Sequence, residues 1–292
     1  MLQVCDNTVG FSELQLELNK FNNWRMTPSL PGPEWTARRK EMSNLAELEI
    51  EFLEGLRSRV KARAATAPTD PRRFAMWFER LKEEGPGQND PLFNWLARTC
   101  SLDQMKWFLT QEVAGEAGFE DLTALTQIQL PTRPKLELAR NYWDEMGRGN
   151  AKGMHGPLLH SLAVHLGLRP DAEETVSEAL ALANTMAGLA SNRCYAYHSI
   201  GALGVIEMTA PGRSAATAAG LKRLGVGAKP RMYFALHAVL DVKHSQAWNA
   251  EAIRPLVDED PRRAIAIAEG ALMRLECGAR CFERYRSHFG LN

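Results

Sequence analysis

The segment His237-Ala238-Val239-Leu240-Asp241-Val242-Lys243-His244 puts two imidazoles and one carboxylate at positions i, i+4 and i+7. An α-helix turns about 100° per residue, so these three side chains fall within roughly 60° of one another on a single stripe. Two nitrogen donors and one oxygen donor, with positions left for further ligands, suit a transition metal. The preceding residues Tyr233-Phe234-Ala235-Leu236, and most of those between the donors, are apolar. The polar stripe is therefore expected to face inward. The competing reading, a solvated stripe with local i,i+4 contacts, fits a lone histidine better than a His/Asp/His set in register.

Further donors are available upstream. Asp144-Glu145 is followed by His155 ten positions beyond Glu145, with Gly147 and Gly149 between them. A loop or wound helix there would let Glu145 and His155 reach one cavity. Glu207 closes the apolar run Gly201-Ala202-Leu203-Gly204-Val205-Ile206. A buried lone carboxylate is costly without a partner charge, and a cation would be one; the alternative is a helix end near Pro211 that reaches water. Glu112, Glu116 and Glu120 form an i,i+4,i+8 ladder. One of them is expected to face the site, and the other two read as a solvated acidic face. His160, His165, His198 and His288 read as packing histidines or as supports for ligands. Asp144, Glu137 and Asn141, one to two turns from Glu145, could hold the other N–H of a metal-bound imidazole.

The elements that must position these groups are helical nearly throughout, because Ala, Leu, Glu, Met and Arg dominate the long segments and strand-like alternation is rare. Amphipathic helices are expected over 11–22 and 34–63, separated by Pro28-Ser29-Leu30-Pro31-Gly32-Pro33. Further helices are expected over 90–98, 102–127, 134–146, 151–167, 171–190, 193–209, 212–224, 230–257 with a bend, and 260–288. Ser101 is a good N-cap, Asp260-Pro261 is a cap followed by Pro at the first helical position, and Gly147, Gly149 and Gly167 end helices. Long helices with short connections point to a bundle, whose core is a usual place for metal ligands.

Hydrophobic residues make up 45% of the 292 residues and charged residues 24%, and 35 basic side chains balance 35 acidic ones. No electrostatic footprint of a nucleic-acid or membrane-surface partner is present. The segment Met1 to Asn7 does not read as a secretory signal, and the most apolar stretch, around Ile200–Ile206, is too short to span a bilayer. Cys5, Cys100, Cys194, Cys277 and Cys281 are odd in number and irregular in spacing, so they are expected to be reduced, mostly packed thiols in a cytoplasmic protein.

The ordered set of donors, Asp-Glu followed by His, then a Glu, then His-x-x-x-Asp-x-x-His, resembles the heme-oxygenase-like diiron oxidases and oxygenases, often called iron-containing redox enzymes. The resemblance covers roughly residues 90–288. It implies an all-α, heme-oxygenase-like helical bundle over 71–292, with residues 1–70 a helical extension outside the family core. That extension is expected to pack on the bundle; as an arm to a second subunit it would instead make a homodimer. The metal ligands implied are Glu145, His155, Glu207, His237, Asp241 and His244. Some members add a carboxylate from the preceding helix, for which Glu116 is the best match by spacing and Glu112 the second choice.

The resemblance further implies two non-heme iron ions, or manganese, together with O2, an electron donor and a small organic substrate. The reaction would be desaturation, C–C cleavage, N-oxygenation or hydroxylation. The Glu145-to-His155 interval is longer than in some members, so the chain must adjust there. Phe108, Phe119 and Tyr233 are among the aromatics expected to shape a pocket. The alternative is a non-redox protein of the same fold, either a hydrolase or a small-molecule binding scaffold, but no Ser-His-Asp or Cys-His set stands out. A helical interaction module would leave the His/Asp/His stripe unexplained.

Overall fold

The computed structural model describes residues 8–291, so Cys5 lies outside the described residues. Among the described residues the regular structure is helical. The helices are α1 (Thr8–Met26), α2 (Trp35–Ala64), α3 (Pro71–Glu84), α4 (Pro91–Arg98), α5 (Leu102–Ala114), α6 (Phe119–Thr126), α7 (Thr132–Glu145), α8 (His155–Leu166), α9 (Ser177–Ser191), α10 (Ala196–Arg223), α11 (Met232–Ala247), α12 (Arg254–Glu259) and α13 (Arg263–Phe289). None is long and apolar enough to cross a membrane.

Local chemistry accounts for many of the ends. Asp70 and Asp90 accept from the backbone N–H groups of Arg73 and Leu92, each at 2.9 Å, and each is followed by Pro, whose missing N–H costs nothing in a first turn. Ser101 and Gln104 exchange bonds of 3.2 and 2.8 Å in a capping box. Gly167, at φ 68°, closes α8 in the left-handed conformation that glycine adopts without strain.

Four expectations are corrected. The helix expected over 102–127 is two, because the chain leaves helical geometry at Gly115 and turns through Gly118 at φ 74° before α6. The acidic ladder on it is therefore not one face. The segments expected as 193–209 and 212–224 are a single helix, α10, that runs through Pro211. A proline lacks the N–H that would bond the carbonyl four residues back, here that of Glu207. Packing of α10 between α11 and α13 holds the helix across this gap. Glu207 is consequently mid-helix rather than at a helix end. Residues 171–176 are turns rather than the start of α9, and Asp260 accepts from the Arg262 N–H in a turn before α13 begins at Arg263.

The bend expected within 230–257 is a π-helical stretch, Trp248–Ile253, between α11 and α12. Pro255 follows it and has neither an N–H for the Glu251 carbonyl nor room for it, so the helix widens before the proline. Trp248 is fully buried there, and its indole N–H donates to the Ile200 carbonyl at 3.1 Å.

The core forms around α10. Two glycines let α10 and α13 approach backbone to backbone: a Cβ on Gly201 would overlap the Ile267 carbonyl, and one on Gly270 would overlap that of His198. Leu53, Leu56, Val60 and Ala64 of α2 belong to the same apolar core as Ile267, Leu272 and Leu275 of α13. α1 is tied down by a buried amide network, Asn22 to Asn184 at 2.9 Å and Asn184 to Gln15 at 3.0 Å. Cys100, Cys277 and Cys281 are buried free thiols, and Cys194 is exposed.

Candidate metal centre

α11 presents its polar stripe inward. Asp241 and His244 are 2% and 8% exposed, whereas Val239 and Val242 on the same helix are 65% and 46% exposed. This is the reverse of ordinary amphipathic burial, in which valines face the core and charges face water. A helix that buries an aspartate and a histidine while exposing two valines is organised around a polar site.

α7 and α8 bring the upstream pair. Glu145 is the last residue of α7 and His155 the first of α8. The interval between them folds into two 3-10 turns, with Gly147 and Gly149 at φ 60° and 82°. Gly147 lies against the backbone of Gly153, where a side chain would not fit. This compact loop returns the chain so that Glu145 Oε2 is 2.5 Å from His155 Nδ1. Glu207 enters from α10, with its Oε2 3.4 Å from His244 Nδ1.

Two donor triads result, Glu145/His155/His237 and Glu145/Glu207/His244, each with its ligand atoms within 4.8 Å of one another. Glu145 is common to both. Asp241 lines the adjoining cavity, and its Oδ1 lies 3.9 Å from His244 Nδ1. The structure thus gathers six of the sequence-derived candidates into one buried cluster.

The supporting hydrogen bonds orient these groups. His237 Nδ1 is 2.8 Å from the Tyr233 carbonyl, which can only accept, so Nδ1 carries the proton and the Nε2 lone pair points at the cluster, 3.0 Å from His155 Nδ1. His244 Nε2 lies 3.1 Å from Asp144 Oδ2, which leaves His244 Nδ1 toward Glu207 and Asp241. Asp144 is itself fixed by Arg148 Nε at 2.7 Å. Asn141 Nδ2 donates to Glu207 Oε1 at 2.5 Å. Glu137 is paired with Arg140 instead.

The electrostatics describe a site short of positive charge. Burial, and then the charge of Glu207, push the Glu145 carboxyl up to about 8. Burial with Glu207 and Glu145 drives Asp241 far above the usual carboxylate range. Burial lowers His155 and His237, which keeps them as neutral imidazoles fit to donate a lone pair. At His244 burial acts downward, but the hydrogen bond and charge of Glu207 outweigh it and raise the imidazole to about 9. The Asp241 Oδ1 and His244 Nδ1 atoms are buried without a hydrogen-bond partner of good geometry. Three carboxylates facing orphaned donor atoms in a buried site fit divalent cations, whose charge would remove each of these penalties.

The acidic ladder divides in three directions. Glu112 accepts from the Tyr285 hydroxyl at 3.0 Å, away from the cluster. Glu116 lines the cavity while remaining exposed, accepts from the Gly118 N–H at 3.1 Å, and has its carboxyl pushed up by the desolvation of that lining and then by Glu120. It belongs to neither donor triad. Glu120, in the first turn of α6, lies against Gly156 and acts electrostatically on both Glu145 and His155. From the sequence it was indistinguishable from a solvated glutamate; the signal available was Gly118, which breaks the ladder and re-aims its last member. His160 and His165 are on the surface, His198 bonds Glu269 at 3.0 Å, and His288 stacks on Trp107. Of the aromatics, Phe108, Phe119 and Tyr233 line the cavity, whereas Trp143 is exposed and Tyr195 is engaged by Glu54.

Residues 106–279 match the family described as iron-containing redox enzymes, and this span holds every residue of both donor triads. The chain belongs to the iron-containing redox enzyme family. An iron-dependent redox role comes with that membership. No curated protein matches the chain. A crystal structure from Shewanella denitrificans OS217, of a domain of unknown function with a heme oxygenase-like fold, is similar at a TM-score of 0.53 and 15% identity. The similarity covers 80% of this chain and 93% of that one. Like that domain, this member of the family has a heme oxygenase-like, all-helical fold.

Proposed function

We propose that this chain is a non-heme diiron oxidase or oxygenase that activates O2 to oxidise a small organic substrate. The observation that carries this reading is the shared Glu145. A carboxylate common to two triads, each completed by histidine, is what two neighbouring metal ions require, and a mononuclear site has no use for the second triad. His155 and His237 with Glu145 would hold one ion; Glu207 and His244 with Glu145 would hold the other, and Asp241 would complete the set. Bound iron supplies the electrons and open positions for O2 chemistry.

The protein's own groups do the rest. Tyr233 O holds His237 in the tautomer that turns its Nε2 lone pair inward, Asp144 would accept the Nε2–H of a metal-bound His244 so that Nδ1 faces the ion, and Asn141 fixes the orientation of Glu207. Phe119, Leu122 and Ile206 add apolar surface to the cavity that the donors line. Anaerobic Fe(II) loading followed by metal analysis and Mössbauer spectroscopy is expected to give two irons per chain and an O2-dependent optical change. A saturating stoichiometry of one iron, or selective uptake of manganese, would overturn the reading.

The same titration separates the glutamates of α5 and α6. Glu120→Gln, beside Glu145 and His155, is expected to weaken iron at that triad by about 10- to 100-fold, as loss of an outer partner does. Glu116→Gln should act less on loading. The opposite order would make Glu116 the donor.

A further inference from the structure

The cavity that meets the metal centre continues past it. Its volume is about 170 Å³, close to the roughly 150 Å³ of an engineered cavity that admits benzene. Phe108, Leu182, Met186, Ile206 and Phe282 make its middle apolar. Its far end is polar again, lined by Glu112, Arg213, Arg274 and Tyr285.

The two arginines there are under-used. Arg213 donates through Nη2 to Thr209 Oγ1 at 2.8 Å, and its guanidinium lies 5.5 Å from the Phe282 ring centre. Arg274 has its Nε and Nη1 buried without any hydrogen bond. Among the described residues neither guanidinium forms an ion pair. The acidic group facing them is Glu112, which is already engaged by the Tyr285 hydroxyl and is pushed toward its neutral form by burial. Burial and the neighbouring Arg274 lower Arg213 to about 9, which leaves it cationic at neutral pH. The half-buried Arg213, and Arg274 with two buried and unpaired nitrogens, stand against one weakened carboxylate and carry uncompensated charge and empty N–H donors, an expensive arrangement unless an anion completes it. A guanidinium fork matches the two oxygens of a carboxylate.

The spacing along α10 sets the scale. Glu207 and Arg213 are six residues apart, about 9 Å along the helix axis. We propose that Arg213 and Arg274 form a carboxylate-binding subsite that holds a small organic acid across the apolar middle of the cavity, with its far end toward the metal centre. The assignment of which end reacts rests on the diiron reading; recognition of the carboxylate does not.

The metal-free protein, titrated calorimetrically with unbranched monocarboxylates from acetate to octanoate and with benzoate, tests this against the matching neutral amides and inorganic phosphate. At least one carboxylate is expected to bind about tenfold or more tightly than its amide. Arg274→Gln and Arg213→Gln should each lower that affinity by about tenfold or more, and Arg213→Lys by less. Equal binding of acids and amides, or unchanged affinity in both glutamine variants, would overturn the proposal. Phosphate binding more tightly than every carboxylate would overturn it in favour of a phosphorylated ligand. Iron loading of the arginine variants should match the wild type, whereas Glu207→Gln should lose one of the two irons and keep carboxylate binding, so the two readings fail separately. If an arginine variant does not fold, the acid–amide comparison on the wild type still decides.

Discussion

Glu145→Ala is expected to abolish binding of both irons, whereas removal of any donor confined to one triad should leave one iron in place. Glu145 is the ligand common to Glu145/His155/His237 and Glu145/Glu207/His244. Its loss leaves each triad with two donors and removes one of the negative charges that two dications need. Metal analysis after anaerobic loading checks this, with circular dichroism to verify the fold. Glu145→Ala that retains one tightly bound iron would mean that the carboxylate serves a single ion, and retention of two would remove it from the ligand set.

The metal-free variant offers a second readout. The folded-state pKa of Glu145 is raised to about 8, from an unfolded value of about 4.3. The folded protein therefore holds a proton that the unfolded chain releases, and wild-type metal-free stability falls as pH rises through that window. Glu145→Ala removes this fall. Metal-free variant and wild type should differ little near pH 4, and the variant should become progressively the more stable of the two up to about pH 8, as thermal melts across the range would register. A constant difference at every pH would show that the buried carboxyl is not the titrating group.

His244→Ala is expected to keep one iron, at Glu145/His155/His237, and to lose O2-dependent chemistry by on the order of a hundredfold or more, because both metal positions are needed for it. Helix content should change little, since alanine is a good helix former and His244 makes its contacts through its ring. His288→Ala, whose ring stacks on Trp107 outside the centre, should leave iron stoichiometry unchanged. Wild-type iron content and O2 consumption in His244→Ala would exclude it as a ligand. Equal loss in both variants would report general destabilisation.

The elements most legible in the sequence were those with their own local signals. Ser101 and the pair Asp90-Pro91 mark helix starts through bonds that close within three residues, and Gly167 ends α8 through a conformation only glycine adopts freely. The helices whose ends differ from their local signals are those where a breaker competes with distant packing. Pro211 reads as a stop, yet α10 continues through it, packed along α11 and α13. Gly115 and Gly118 read as small residues in a helix, yet they end it, because nothing local obliges a glycine to stay helical.

The site divides in the same way. One helix carries His237, Asp241 and His244, so their common face follows from the periodicity of the α-helix alone. Chain order and family resemblance nominate Glu145, His155 and Glu207, but three separate helices supply them, and only packing makes their distances. That Glu145 stands between two triads, that Glu120 rather than Glu116 lies beside His155, and that Arg213 and Arg274 share the cavity with the metal centre were decided by tertiary structure. The physical reason is one of range. Helical phase and capping are set within four residues, whereas donor-to-donor distance depends on how helices cross, and here the crossing depends on close contacts such as Gly201 against Ile267 and Gly270 against His198, made between residues distant in the chain.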